Sequence, residues 1–159
     1  MSSQSPVPAK SARRSSSSLR LLVLSDLHLE FSDLVVPSSV DFDVAVLAGD
    51  IGSPGSSVAG WVRGSAALQR AKAVILVAGN HEFDGRDLNT AWAELHAHCD
   101  ALGIQLLEQQ SCVLTSAAGQ RVRFVGTTRW SDFDLFGPTG RMRAMRAAVG
   151  PEVAIMVDY

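Results

Sequence analysis

Carboxylate, imidazole and amide side chains follow three separate apolar segments of this chain. These five candidate site residues are Asp26, His28, Asp50, Asn80 and His81. Oxygen and imidazole nitrogen donors in one cluster, with no thiolate among them, favour manganese, iron or zinc over a structural zinc site. A carboxylate such as that of Asp50 has two oxygens and can bridge two ions. The residue types therefore predict a metal centre.

The apolar segments that precede these residues predict the strands of one parallel sheet. They are Leu19–Leu24, Val44–Ala48 and Val74–Ala78. Unbroken runs of leucine and β-branched residues are typical of strands that are buried on both faces. A helical pattern over Ser56–Ala73 joins the second strand to the third, which predicts a right-handed crossover and parallel pairing. Since ligands bind at the carboxyl ends of such strands, we expect the five candidate residues to lie close together.

The alternation of strand and helix continues along the chain and makes the fold class α/β. Helical spacing of apolar residues predicts a helix over Leu88–Leu102, with Asp87 as its N-cap and Gly103 just beyond its end. Three more strands are predicted, at Ile104–Leu107, Ser111–Leu114 and Arg121–Gly126. Next come a predicted loop over Ser131–Gly140 and a short helix with solvent-facing arginines, namely Arg141, Arg143 and Arg146.

Three short motifs in this order resemble the first signature motifs of the calcineurin-like metallophosphoesterases. The motifs are Asp26-x-His28, Gly49-Asp50 and Gly79-Asn80-His81-Glu82. Residues 25–31 and 126–133 are similar to a bacterial subfamily of these phosphoesterases. The resemblance covers residues 20–159 and implies a partial calcineurin-like β-sandwich flanked by helices, with a dinuclear site at the sheet edge.

The resemblance also implies a role for each candidate residue. Asp26 and His28 would hold the first metal ion, Asp50 would bridge both ions, and Asn80 would bind the second. Asn80 and His81 would contact the substrate, and His81 would act as the catalytic group that protonates the leaving group. The implied reaction is hydrolysis of a phosphomonoester or phosphodiester, a small molecule or a nucleotide, by a hydroxide shared between two divalent ions of Mn, Fe or Zn.

The later histidines of the family pattern, an isolated one and a Gly-His-x-His pair, are missing from this sequence. Apart from His28 and His81, the chain has only His96 and His98, which fall inside the predicted helix. Helix positions two residues apart point about 200° away from each other, so this pair cannot share a metal ion. We therefore expect an incomplete second metal site and weak or absent activity. The alternatives are a non-catalytic scaffold or protein-interaction module of the same fold, or an inactive gene fragment.

Composition bounds these interpretations. The 159 residues are 47% hydrophobic with a formal charge of -2, which excludes disorder for most of the chain and gives no specific nucleic-acid signal. The sequence has no apolar run of membrane-spanning length, and its two cysteines make no disulfide framework, so we expect a cytoplasmic protein. Residues 1–18 predict a disordered Ser/Arg-rich tail, with a targeting segment as the alternative. Residues 19–159 predict one metallophosphoesterase domain, truncated on its C-terminal side, whose exposed apolar surface favours self-association.

Overall fold

A four-stranded parallel sheet organises the chain in a computed structural model, which describes residues 18–130, 134–135 and 137–148. The strands are β1 (Leu21–Leu24), β2 (Val44–Ala48), β3 (Ala73–Val77) and β4 (Gln105–Leu106), in that spatial order. Parallel pairing of the first three strands is as predicted, and β3 starts one residue before the predicted position. The predicted tail lies outside the described residues, except for its last residue, as does the end of the chain from residue 149.

Two helices cover one face of the sheet. Helix α1 (Gly55–Gly64) is shorter than predicted, because Ser65 adopts an extended conformation after it and only a 3-10 turn, Leu68–Arg70, follows. Helix α2 (Leu88–Leu102) has the predicted bounds. Its core with the sheet is built from alternate residues of β2 and β3 and the inner faces of both helices: Ala45, Leu47, Val74, Leu76, Val58, Val62 and Leu95.

Both ends of α2 have the predicted caps. The Thr90 backbone N–H donates to the Asp87 carboxylate at 2.9 Å, which satisfies one of the free N–H groups of the first turn. Gly103 ends the helix in the left-handed region, with a φ of 65°. A glycine pays no Cβ penalty for that conformation, so it allows the chain to turn directly into β4.

A hairpin covers the other face of the sheet. It consists of β5 (Gln110–Thr115) and β6 (Arg121–Gly126), paired antiparallel. Its half-buried Leu114 and Phe124 pack with Ile75 and other residues of the sheet in a second, smaller core. The predicted alternation along β6 is confirmed, since Val122 and Phe124 are half-buried while Arg121 and Arg123 are exposed. Helices on one face and a hairpin on the other confirm the α/β class.

Strand β1 corrects one expectation, because it is not buried on both faces. Leu22 and Leu24 pack against the helix-side core, but Leu21 and Val23 are 46% and 59% exposed. Within the described residues β1 pairs with β2 alone, and the hairpin-side core does not include β1. Its opposite face is therefore apolar and open to solvent.

A third helix replaces part of the predicted loop. The last four residues of the predicted loop, 137–140, form the start of helix α3 (Gly137–Ala148), so the loop prediction is wrong there. Residues 131–133 and 136 of the loop lie outside the described residues. The arginines of this helix are exposed, as predicted: Arg141, Arg143 and Arg146.

Candidate metal centre

The five candidate residues lie at the carboxyl edge of the parallel sheet. Asp26 and His28 follow β1, Asp50 follows β2, and Asn80 and His81 follow β3. Adjacent loops are joined by backbone hydrogen bonds, from the Asp26 N–H to the Gly49 carbonyl at 3.0 Å and from the His28 N–H to the Asp50 carbonyl at 3.1 Å. The ends of β1 and β2 are thereby held together before any ligand binds.

The backbone of three candidate residues adopts the left-handed conformation. Asp26, His28 and Asp50 have φ values of 53°, 47° and 52°, and the only other non-glycine residue like this in the described chain is Gln109. A left-handed conformation costs a residue with a side chain about 1–2 kcal/mol, so it persists only where the surroundings impose it. Strain concentrated on these three residues is typical of a functional site.

Side-chain donors of these same three residues converge. One ligand atom each from Asp26, His28 and Asp50 lies within 4.8 Å of the other two. Ligands on opposite sides of one divalent ion lie about 4–5 Å apart, so the spacing suits a single ion. Two carboxylates and an imidazole are also suitable donors for manganese, iron or zinc. The residues present therefore fit a divalent ion.

A second cluster, which the sequence did not predict, adjoins the first through His28. Oε1 of Glu30 lies 3.0 Å from Nδ1 of His81 and 3.3 Å from Nδ1 of His28, while Oε2 accepts the Ser53 N–H at 3.0 Å. The two imidazole rings meet edge to face, with centroids 4.3 Å apart. The one sequence signal for this second cluster was the spacing of Asp26, His28 and Glu30 at every second position of one loop.

The charge of Glu30 is stabilised where it stands. Burial raises the pKa of the Glu30 carboxyl, but hydrogen bonds from its own N–H, from Ser53 and from both histidines bring the net pKa below its ordinary value. An ionised Glu30 therefore fixes the orientation of the His81 ring through Nδ1.

Asn80 and His81 occupy the segment after β3. Asn80 is half-buried and precedes a 3-10 turn, His81–Phe83, whose last N–H donates to the Asn80 carbonyl at 3.0 Å. The His81 N–H donates to Oδ1 of Asp50 at 3.0 Å, so this segment also fixes the Asp50 carboxylate. Metal binding by Asn80 and acid catalysis by His81 stay predictions.

Glu82 joins the loops after β2 and β3, a role that the sequence did not predict although the residue stands in the third motif. Its side chain is 1% exposed. Oε1 accepts N–H groups from Ile51 at 2.7 Å and Gly52 at 3.2 Å, and Oε2 accepts them from Asp50 at 3.1 Å and Gly79 at 2.6 Å. Burial raises the pKa of Glu82, and the four N–H groups oppose that rise.

The loops after β2 and β3 each begin with a glycine, and these glycines permit the two loops to approach each other closely. Gly49 has a φ of 87°, in the left-handed region that favours glycine. At Gly79 a Cβ would lie 2.6 Å from the backbone nitrogen of Asp50 and would collide with its carboxylate. The two loops can therefore meet at Asp50 only if residue 79 has no side chain.

The histidine pair on α2 stands apart from both clusters. The His96 ring packs edge-on against Trp92, with centroids 5.0 Å apart, and Nδ1 of His98 lies 2.7 Å from the Glu94 carbonyl. Both lie within the helix, as predicted.

Comparison with known proteins identifies the family. The family model described as calcineurin-like phosphoesterase matches residues 19–134, which is most of the chain and includes all five candidate residues. The chain belongs to the calcineurin-like phosphoesterase family, a family of metal-dependent hydrolases. No curated protein matches it. No helix in the described part of the chain is long and apolar enough to cross a membrane.

Proposed function

We propose that this chain binds a divalent ion through Asp26, His28 and Asp50 and hydrolyses a phosphomonoester or phosphodiester of a small molecule or nucleotide. The convergence of these three donors at the edge of the sheet is the observation that supports the proposal. A divalent ion supplies Lewis-acid polarisation of a phosphoryl oxygen and lowers the pKa of water. The phosphoesterase class follows from family membership.

Asp50 is central to the proposed binding. Its backbone N–H is fixed by Glu82, and its Oδ1 accepts the His81 N–H, so its carboxylate has a defined direction before an ion arrives. A second ion would use the other oxygen of Asp50 together with Asn80. Two donors make an incomplete site, so we expect the second ion to bind more weakly than the first.

His81 is proposed as the catalytic acid. Nδ1 of its ring faces Glu30, so the proton for a leaving group comes from Nε2, on the far side of the ring. Glu30 holds the ring in that orientation. A positioned general acid contributes about 10²–10⁴-fold to the rate of such a reaction.

A second candidate function is a metal-binding scaffold without turnover. The incomplete donor set for a second ion favours it. Turnover discriminates between the two: a chain that binds manganese in a defined ratio and hydrolyses neither an aryl phosphate nor a bis-aryl phosphate is the scaffold.

Asp50→Asn tests the metal centre. Removing one oxygen charge from a three-donor site should weaken manganese binding more than about 100-fold, measured by titration calorimetry, since even outer-shell changes cost about 10–100-fold. Asp84→Asn is the matched control, because Asp84 is an exposed carboxylate directly after the 3-10 turn His81–Phe83. Unchanged manganese affinity in Asp50→Asn would contradict the proposed site.

His81→Ala and Glu30→Gln test the acid and its orientation. Both should leave manganese stoichiometry intact and slow hydrolysis of an aryl phosphate, with His81→Ala the slower. Loss of bound manganese in both variants would instead mean that His28, Glu30 and His81 form a metal site, and would refute the proposed role of His81.

A further inference from the structure

A cavity lined by aromatic side chains lies outside the candidate metal centre. Its volume is about 230 Å³, and it is lined by Phe83, Trp92, Trp130, Glu108 and Thr128, together with the first two residues of α2. We name it the aromatic cavity. Pockets for drug-sized ligands measure about 300–1,000 Å³, so this one suits a small chemical group.

The aromatic cavity adjoins the segment that contains Asn80 and His81. Phe83 is the third residue of the 3-10 turn that begins at His81, which places it about 4 Å further along the axis of the turn. Thr128 also lines the cavity, and its Oγ1 donates to the Ala78 carbonyl at 2.8 Å. The cavity therefore adjoins this segment along the backbone, while the side chains of His81 and Phe83, two positions apart in a 3-10 turn, point about 120° away from each other.

The rings do not form a flat slot. Phe83 and Trp92 have centroids 5.4 Å apart and planes inclined by 36°, and Phe83 and Trp130 are 5.9 Å apart and inclined by 44°. Both ring pairs are in direct contact, so a ligand meets these rings only along the wall that they form, and inclined rings offer no parallel slot for a planar base. The faces of aromatic rings are negative, so the group that they attract most strongly is a cation.

The aromatic cavity is also lined by one carboxylate, that of Glu108. Among the described residues that line the aromatic cavity, Glu108 is the only charged one. Burial raises its pKa, but hydrogen bonds from the Thr128 N–H at 2.8 Å and from the Thr127 hydroxyl at 3.2 Å keep the net pKa below its ordinary value. The nearby N-terminus of α2 is already capped by the Asp87 carboxylate, so it offers no competing anion site.

We propose that the aromatic cavity binds an organic cation, a quaternary or tertiary ammonium group carried on the substituent of the phosphate ester. Three inclined rings and one ionised carboxylate are the recognition chemistry of such a group. The link to an ester rests on the proposed function, whereas cation binding itself does not.

The test uses the full chain without metal. Choline is titrated against its neutral carbon isostere, in which a tert-butyl group replaces the trimethylammonium group, at constant ionic strength. Proton–nitrogen correlation spectra report the three indole N–H groups separately. Choline should shift the signals of Trp92 and Trp130 and leave that of Trp61 in place, and the neutral isostere should bind about tenfold more weakly or worse.

Variants separate the ring and charge contributions. Glu108→Gln and Trp130→Leu should each lower choline affinity about tenfold. Trp130 is 42% exposed, so its replacement leaves the core intact. Trp61→Phe is the control and should leave choline affinity unchanged, because Trp61 lies on α1 with its indole N–H bonded to the Leu34 carbonyl.

Three results would each overturn the inference. They are equal affinity for choline and its neutral isostere, no shift of the indole N–H signals with either ligand, and tighter binding of uridine, a probe with a planar base, than of choline. Failure of the proposed function is distinguishable from these. A chain that binds choline in the aromatic cavity but binds no manganese would refute the metal centre and leave the cation site standing.

Discussion

Replacing Glu82 by glutamine isolates the bond network that joins the two loops around Asp50. The change preserves shape but turns one carboxylate oxygen into an NH₂ group, which cannot accept hydrogen bonds. Each oxygen of Glu82 accepts two backbone N–H groups, one pair from Ile51 and Gly52 and one from Asp50 and Gly79. Glu82→Gln therefore leaves two of the four donors without an acceptor.

The magnitude follows from those two donors. A buried donor left unsatisfied costs about 1–3 kcal/mol, which gives about 2–6 kcal/mol for the pair. Two terms reduce this sum. Asp50 and Gly79 are only half-buried, so water can reach that pair, and glutamine removes the cost of burying a charge, the cost that raises the pKa of Glu82. We expect a net loss of about 2–3 kcal/mol, out of the 5–15 kcal/mol that stabilises a typical domain.

Urea unfolding followed by circular dichroism measures this loss. With a dependence of about 1–3 kcal/mol per molar urea, the midpoint should fall by about 0.7–3 M. Glu94→Gln is the matched control, since Glu94 is 43% exposed and paired with Arg86 at the surface, an interaction worth about 0–1 kcal/mol. If both variants unfold at the same midpoint, the four-bond network does not stabilise the fold and the argument fails.

Two further predictions concern a close approach and a surface carboxylate. Gly79→Ala should lose about 1–3 kcal/mol of stability and weaken manganese binding, because its Cβ would collide with Asp50, whereas Gly60→Ala, with open space around it, should gain about 0.5–1 kcal/mol. Equal thermal shifts in the two variants would contradict the collision. Hydrogen bonds from Arg20 hold the pKa of Asp43 below its ordinary value of 3.8. The stability that this pair contributes to the fold is therefore full above about pH 4, and it is lost as the pH falls through the lower pKa that Asp43 has in the folded state. Asp43→Asn should reduce the loss of stability in that acid range, measured by urea midpoints, and an unchanged pH slope would contradict it.

The local elements were largely predictable because their signals lie within a few residues. Helix α2 has its predicted bounds, since Asp87 and Gly103 act through hydrogen bonds to the adjacent turns. Strand β2 was predicted at its observed residues for the same reason, being a continuous apolar run. The exposure of Leu21 and Val23 in β1 was not predictable, because a strand's own sequence does not determine how far the hairpin layer extends across the sheet.

The roles of two glutamates also needed the tertiary structure. Glu82 stands inside a recognised motif, yet its partners around Asp50 lie 30–32 residues earlier in the chain. Glu30 meets His81 across 51 residues. One partner in each network, Asp50 for Glu82 and His28 for Glu30, has left-handed backbone although it is not a glycine, and short-range sequence preferences argue against that conformation.

The sequence by itself determined the α/β class, the parallel pairing of the first three strands and the placement of Asp26, His28, Asp50, Asn80 and His81 at their carboxyl ends. Periodicity and strand order suffice for this, because parallel strands share one carboxyl edge. Only the tertiary structure decided which donors converge, how Glu30 and Glu82 hold the loops, and where the aromatic cavity lies beside them. Those features arise where loops distant in sequence pack against each other, and the geometry of such packing is fixed by all the partners together.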